Sequence, residues 1–432
     1  MNDNINNMRY QQCLEEMYGL RRFGIVLGLD VISGMLENLG NPHRQFTCIH
    51  IAGTNGKGSI ASALANILYH AGCTVGLYTS PHLLRFNERI RVNNAEISDS
   101  QVVDAFEAVQ SAHHGSREAT FFEYTTAMAF YAFNKAGVDW AIIETGMGGR
   151  LDATNIISPK IAIISNINME HREYLGHTIN AIAGEKAGII KTDTPVITGA
   201  RQKAAVAEIR ETAKRCAAPF YRLGEHFRVR RRPSAGDFIY YGMNHVWPGM
   251  RTRLTGNYQV DNAAIVLAAC ELLKEAGTID WTAVHKGLQT HQWPGRLEMI
   301  PAQPPILIDG AHNLMAARHL SAFLKQQMAN RKITLVVGIL DDKPYLSMLQ
   351  SLLPACHRAI LTRPRIERSL PAQTLFEAAG GLIRRREIVE DVAEAVSHAC
   401  NTTDPEGLVC IAGSLYLVGE AKQALANLKI AG

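Results

Sequence analysis

Residues 49–68 read "IHIAGTNGKGSIASALANIL", and the way this stretch is parsed decides the fold. The common phosphate loop has four residues between its glycines and a hydroxyl residue directly after the lysine. Here only Thr54 and Asn55 separate Gly53 from Gly56, and Gly58 stands between Lys57 and Ser59. The flanks still have the right texture. Thr47 to Ile51 has strand composition, and Ile60 to Tyr69 repeats apolar residues at helical spacing. A glycine-rich turn between strand and helix aims backbone N–H groups and the positive end of a helix dipole at one point, which suits phosphate. Lys57 adds a charge for the outer phosphates and Ser59 an oxygen for a metal ion. A tight turn would explain the glycines but not the lysine.

Outward from this loop, the chain to about Gly224 alternates strands (47–52, 74–79, 139–144, 160–166, 195–199) with helical patterns (59–70, 99–112, 123–136, 178–187, 202–217). That rhythm predicts a mostly parallel sheet covered on both faces. Residues 226–254 change to short alternating runs punctuated by Gly and Pro, which predict a small antiparallel subsheet, followed by a helix from Gln259 to Glu275. Pro294, Gly295, Pro301, Pro304 and Pro305 then crowd together as a linker. The expected domains are 1–299 and 300–432, the second a smaller α/β unit with strands at 306–309, 333–338, 358–362 and 408–412.

The chain's 432 residues are 47% hydrophobic and 19% charged, with net charge +4, a balance that gives no footprint of nucleic-acid binding. Eight cysteines without a C-x-x-C pair indicate neither a zinc site nor a disulfide framework and read as small apolar residues in a reducing cytosol. No apolar leader and no long apolar run is visible, so a cytoplasmic protein without membrane attachment is expected.

In open α/β sheets ligands sit at the carboxyl ends of strands. Glu144 ends the 139–144 run and can hold magnesium beside a nucleotide there, although acidic strand ends are also common as solvated groups. Glu170 and His171 follow the next strand, and on its residues alone His171 is either a surface side chain or a ligand. Lys186, in "IAGEKAGIIK", is either a snorkelling surface lysine or one whose apolar setting removes its charge. The loop "YTSPHLLRFNERIRVNN" offers Ser80, His82, Arg85, Arg89 and Arg91 to an anionic substrate. The loop "ATFFEYTT" offers the rings of Phe121 and Phe122 and the carboxylate of Glu123 to a flat heteroaromatic ligand, unless the rings are core. The arginine runs at 228–232 and 384–386 read as solvated faces without a role.

Taken in order, "RRFGIVLGLDVISGMLENLGNP", "GTNGKGS", "TSPHL-x-x-F-x-ERI", "FFEYTTAMAF", "GMGGRLDATN", "EKAGIIK", "WPGRLE", "DGAHN" and "GSLYLVGE" resemble the folylpolyglutamate synthase and dihydrofolate synthase branch of the Mur ligase superfamily, from about residue 18 to 425. The short loop with Gly58 between Lys57 and Ser59 looks like that superfamily's own phosphate loop. The resemblance implies a P-loop Mur-ligase-like ATPase domain, with its mostly parallel sheet and small antiparallel subsheet, followed by a Rossmann-like α/β domain.

It implies that Gly53, Thr54, Asn55, Gly56, Lys57, Gly58 and Ser59, with Asn262, Arg296 and Asp309, contact ATP. Two magnesium ions are implied: Ser80 and Glu144 ligate the first, and Glu144 and His171 share the second, beside the metal oxygen already read at Ser59. A carbamylated Lys186 would be a further ligand, and a monovalent cation is possible for this family. Phe121, Phe122, Glu123, Leu151, Asp152 and Ala153 match the pterin pocket, and His312 and Ser414 match positions near the incoming glutamate. Lys57, Glu144, His171, Lys186 and His312 are the implied catalytic set. Two departures stand out: Glu170 replaces the family's usual Asp before the metal-binding His, and "GMGGR" replaces "GLGGR".

The activity implied is an ATP-dependent amide ligase that joins L-glutamate to dihydropteroate, a reduced folate, or both, through an acyl phosphate. Its partners would be small molecules, and a monomer is the default. Closure of two domains about residues 294–305 would shield the acyl phosphate from water. Three rivals share parts of this signature: a Mur-type ligase with another carboxylate acceptor, a P-loop kinase, and a regulatory module that binds ATP without consuming it.

Overall fold

The computed structural model describes residues 2–20, 24, 26–115, 117–232 and 236–428. Arg21, Arg22, Phe23 and Ile25 of the opening motif lie outside the described residues. The chain divides into two compact units, Met1–Arg253 with Gln259–Gln292, and Leu254–Tyr258 with Trp293–Gly432.

In the first unit the strands are β1 (Thr47–Ala52), β2 (Val75–Tyr78), β3 (Ile90–Val92), β4 (Ala95–Glu96), β5 (Trp140–Glu144), β6 (Ile161–Ile164), β7 (Val196–Thr198) and β8 (Phe220–Arg222). They form one sheet in the order β4-β3-β2-β5-β1-β6-β7-β8. The six strands β2, β5, β1, β6, β7 and β8 are parallel, and the β3–β4 hairpin adds antiparallel to the β2 edge. The parallel strands are near-continuous apolar runs because both faces are covered. Ile49, Ile51, Ile142, Ile143, Ile163 and Ile164 are fully buried, each stabilising the fold by roughly 1.5–3 kcal/mol.

Strand alternation puts Cys48, His50 and Ala52 of β1 on one face. There the helices Asn2–Gly19, Asp30–Asn38, Asp99–Ala112 and Phe121–Lys135 enclose one apolar cluster, and Ile179–Ala187 with Lys203–Arg215 a second. The helix Lys57–His70 packs against Trp281–Thr290 so closely that a Cβ on Gly287 would lie 2.5 Å from Ile67 Cα. Strands β9 (Arg228–Arg232), β10 (Asp237–Tyr241) and β11 (Val246–Met250) make the antiparallel subsheet. Glu271, on the helix Asn257–Glu275, pins its hairpin by accepting from Tyr240 Oη and from the N–H groups of Met243, Asn244 and His245.

The second unit holds β12 (Glu298–Ile300), β13 (Ile306–Asp309), β14 (Ile333–Val337), β15 (Arg358–Leu361), β16 (Arg386–Ile388) and β17 (Leu408–Ala412), in the order β12-β13-β17-β14-β15-β16. All pairings are parallel except that of β12. Among the described residues no helix is long and apolar enough to cross a membrane.

Among the helices that escaped the reading of the sequence, two bury a full apolar face. Asn2–Gly19 is Asn-rich yet buries Tyr10, Cys13 and Met17, which recur at helical spacing. Trp281–Thr290 is capped by Asp280, which accepts from Ala283 N, and buries Ala283, Val284, Gly287 and Leu288. The helix expected from residue 59 starts at Lys57, and the one expected from 123 starts at Phe121. Both are early by one half-turn, and the second shift changes the reading of a pocket residue.

Candidate active site

β1 delivers the chain into the phosphate loop. Gly53 (φ 141°) and Gly56 (φ 87°) occupy backbone conformations that L side chains rarely adopt. A Cβ on Gly53 would stand 1.9 Å from Ser165 Oγ, and one on Gly56 would stand 2.6 Å from Asn262 Oδ1. The loop between them is fastened to the end of β6: Thr54 N donates to Asn166 O (2.9 Å) and Asn55 N to Asn166 Oδ1 (3.1 Å). Asn55 O in turn accepts from Ser165 Oγ (2.7 Å) and Asn166 Nδ2 (2.8 Å).

Gly56 caps the helix that begins at Lys57, so Lys57, Gly58 and Ser59 lie in its first turn, where backbone N–H groups have no partner within the helix. Lys57 Nζ folds back onto Gly53 O (3.0 Å) and Thr54 O (3.4 Å) and lies 4.0 Å from Glu144 Oε1. Ser59 is buried, and Gln259 Nε2 donates to its Oγ (3.3 Å). Asn262 Nδ2 donates to Gln259 Oε1 (2.8 Å), so Asn262 meets the loop as part of a pair. Gln259 had no role in the sequence; its position one turn before Asn262 on a helix was the available signal.

Glu144 ends β5 directly beside the loop, in register with Ile51. Ser80 approaches it through its backbone, Ser80 N donating to Glu144 Oε2 at 3.3 Å. His171 is exposed, with a positive φ of 45°. Lys186 is buried (1% exposed), not snorkelling: its Nζ donates to Glu170 Oε1 (2.7 Å) and Gly53 O (3.0 Å). Burial pushes the Lys186 ammonium down, against the pull of Glu170. Burial would raise Glu170, but Lys186, Lys57 and His171 prevail and hold its carboxyl down to about 2.

Beside Ser80 and His171 opens a cavity of about 280 Å³. Phe121, Phe122, Glu123, Leu151, Asp152 and Ala153 all line it. Phe121 and Phe122 stand in the first turn of a helix rather than in a loop. Thr120 caps that helix, and Glu123 completes a capping box. The Glu123 carboxylate is therefore occupied: Oε2 accepts from Thr120 N and Thr120 Oγ1 (both 2.8 Å), and Arg117 grips both oxygens (2.7 and 3.2 Å). It shapes the cavity more than it offers itself to a ligand.

Of the cationic loop, Arg89 reaches this cavity, its guanidinium 5.1 Å from the Phe121 ring centroid and its Nε donating to His82 Nδ1 (2.8 Å). Arg85 and Arg91 pair instead with Asp99 and Glu96.

In the second unit Asp309 and Ala412 are partners at the carboxyl ends of β13 and β17, which gathers Asp309, His312 and Ser414 at one edge of the sheet. Asp309 Oδ2 accepts from Leu297 N (2.9 Å). Burial pushes its carboxyl up to about 6, with Arg296 and backbone N–H groups opposing. Arg296 Nη1 donates to Gly310 O (3.3 Å), and His312 Nδ1 sits 2.8 Å from the same oxygen, which makes it the donor. Ser414 is buried as the cap of Leu415–Asn427, its Oγ accepting from Leu417 N (3.0 Å).

The donors beside the phosphate loop suit a hard cation, since Ser59, Ser80 and Glu144 supply oxygens. Among the described residues no group of three or more His, Cys, Asp or Glu side chains could hold a metal ion. One carboxylate with two hydroxyl oxygens fits magnesium, which keeps waters and takes phosphate oxygens with one or two carboxylates.

A phosphate loop on a parallel sheet, followed by a second parallel α/β unit, defines the class, and the family descriptions agree. Residues 51–270 match the Mur ligase middle domain and residues 295–415 the Mur ligase glutamate ligase domain. The chain is 36% identical over 429 residues to the dihydrofolate synthase/folylpolyglutamate synthase of Bacillus subtilis, covering 96% of this chain and 99% of that protein. The structure of E. coli FolC in complex with DHPP and ADP superposes with a TM-score of 0.89 at 29% identity, covering 96% of this chain and 98% of that one. The bifunctional folylpolyglutamate synthase/dihydrofolate synthase of Yersinia pestis, complexed with AMPPNP and Mn ion, gives 0.87 at 29% identity, covering 97% and 98%. The chain belongs to the folylpolyglutamate synthase/dihydrofolate synthase family of ATP-dependent ligases.

Proposed function

We propose that this chain forms an amide between the amino group of L-glutamate and a carboxylate of dihydropteroate, of a reduced folate, or of both, at the expense of ATP. The observation that carries this is the place of Ser80. It lines the 280 Å³ cavity and its N–H holds Glu144, which lies 4.0 Å from Lys57. An aromatic-walled pocket and a phosphate loop therefore share one wall.

The N–H groups of the first helical turn and Lys57 hold the β- and γ-phosphates. Lys57 stabilises charge on the phosphoryl group as a substrate carboxylate oxygen forms the new P–O bond and ADP leaves. The glutamate amine, having lost a proton, attacks the acyl phosphate carbon, and inorganic phosphate departs from the tetrahedral intermediate. Phe121, Phe122 and Leu151 cover the faces of the pterin ring. Asn262, Arg296 and Asp309 are assigned to the nucleotide, and His312 and Ser414 to glutamate.

Ser59, Ser80, Glu144 and His171 would hold magnesium, which would supply neutralisation of phosphate charge. Lys186 is the assigned carbamate site. Its burial favours the neutral amine that carbamylation needs, and its bond to Glu170 would have to yield. A family member complexed with AMPPNP and Mn ion supports a nucleotide and a divalent ion; the two-ion count, a monovalent cation, cytoplasmic residence and a monomeric state belong to this proposal.

Mass spectrometry of products, with ATP, magnesium and L-glutamate, tests it. One added glutamyl unit on dihydropteroate means dihydrofolate synthase, further units on tetrahydrofolate mean polyglutamylation, and both mean a bifunctional enzyme. ATP hydrolysis without mass gain on either compound would reject the pterin acceptor.

A further inference from the structure

Behind the wall of the cavity runs a chain of buried polar groups that the mechanism does not use. His50 lies mid-strand in β1 with no exposure, where a strand of this kind is otherwise apolar. Its Nε2 is 2.8 Å from Thr154 Oγ1, and Thr154, also without exposure, donates from Oγ1 to Asp152 Oδ1 at 2.5 Å. Asp152 Oδ1 also accepts from Thr154 N (3.1 Å), and Oδ2 accepts from Met147 N (2.8 Å). Asp152 thus ties the 146–147 turn to the turn Ala153–Ile156. Gly146, Met147, Asp152 and Ala153 all line the cavity, so this carboxylate sets the spacing of its wall.

The directions of the bonds follow from the proton count. The Thr154 hydroxyl has one proton, and it goes to the carboxylate, which only accepts. The Thr154 oxygen must then accept from His50, which fixes the imidazole as the tautomer carrying its proton on Nε2. Among the described residues the other ring nitrogen, Nδ1, has no hydrogen-bond partner. A second proton would have no acceptor there.

We propose that His50 and Thr154 are positioning residues for substrate selection: through Asp152 they hold the cavity wall at the spacing that a flat pterin ring requires. This deepens the proposed function and rests on its assignment of that cavity to the pterin. Neither residue touches the substrate, so the role is one of geometry at one remove.

The test measures dihydropteroate and ATP-analogue affinities by calorimetry on the full chain, with thermal unfolding as a control, for wild type, Thr154→Val, Thr154→Ser and His50→Gln. Thr154→Val should weaken dihydropteroate about tenfold or more, the scale of a lost hydrogen bond to a charged group. The ATP analogue should be unaffected. Thr154→Ser and His50→Gln, which keep a hydroxyl and an N–H donor, should restore most of the affinity. Equal weakening of both ligands, or no rescue by Thr154→Ser, would mean a general loss of packing and would overturn the proposal. So would Thr154→Val binding dihydropteroate within about twofold of wild type. If Thr154→Val fails to fold, His50→Leu against His50→Gln makes the same comparison. Wild type that binds the ATP analogue but no pterin compound would remove the pocket assignment itself, an outcome separate from tight binding that ignores Thr154.

Discussion

Two carboxylates, half-buried Glu170 in the first unit and buried Asp309 in the second, meet opposite fates. Burial alone would raise both. Glu170 sits against Lys186 and near Lys57, and these cations hold it down to about 2. Asp309 has Arg296 and two backbone N–H groups against the same penalty, and burial wins, leaving it at about 6. In the first unit the neighbouring cations Lys186 and Lys57 keep Glu170 ionised at any physiological pH. The second keeps a carboxyl that can still change its protonation in mildly acid solution.

The largest expected effect breaks the cationic side. Lys57→Ala should lower kcat for phosphate release by about 100- to 1000-fold, the scale of one lost donor to a transition state. Among the described residues its hydrogen bonds go only to its own loop, so thermal unfolding should barely change. Lys186→Ala should destabilise the fold by about 3 kcal/mol in urea titrations, because it leaves the half-buried Glu170 without its partner. Pairing it with Glu170→Gln should recover much of that loss, and failure to recover would show that the cost is packing. Activity is a separate readout for Lys186→Ala: partial recovery on adding short carboxylates supports the carbamate, and full activity without additives excludes it.

Asp309 sharpens the contrast through pH. Its folded carboxyl holds a proton that the unfolded chain releases near 3.8, so its stabilising contribution is present below that pH and lost as pH rises through about 6. Asp309→Asn should remove that slope, worth about 2–3 kcal/mol across the window, in unfolding measured from pH 4 to 7. Glu170 has the opposite sign, contributing above 4.5 and losing that contribution as pH falls toward 2. The smallest effect is at the surface, where Arg150→Ala, which breaks the exposed pair with Glu185, should cost no more than about 1 kcal/mol.

The sequence exposed what depends on neighbours in the chain. The Gly53–Ser59 run, the apolar parallel strands and the strand-end Glu144 need only local spacing and a fold rule. The six pocket residues read from the family likeness line one cavity. What stayed hidden depends on distant contacts or on competition for a side chain. Gln259 reaches Ser59 across 200 residues, and His50 looked like one more residue of a buried strand. Glu123 seemed available until its carboxylate was found between Thr120 and Arg117. The missed helix Trp281–Thr290 is different, since its cap and its apolar spacing were present in the sequence.

Lys57 bends onto the carbonyls of Gly53 and Thr54, in the loop proposed to receive the nucleotide. Its four-carbon stem is thus confined by its own loop, and the rotamer freedom of a long side chain is surrendered during folding. Capture of a phosphate becomes an exchange of one set of oxygens for another. Nucleotide association should accordingly show little ordering entropy at this position, and the lysine can pass its proton-bearing end from carbonyl to phosphate without first being recruited from water.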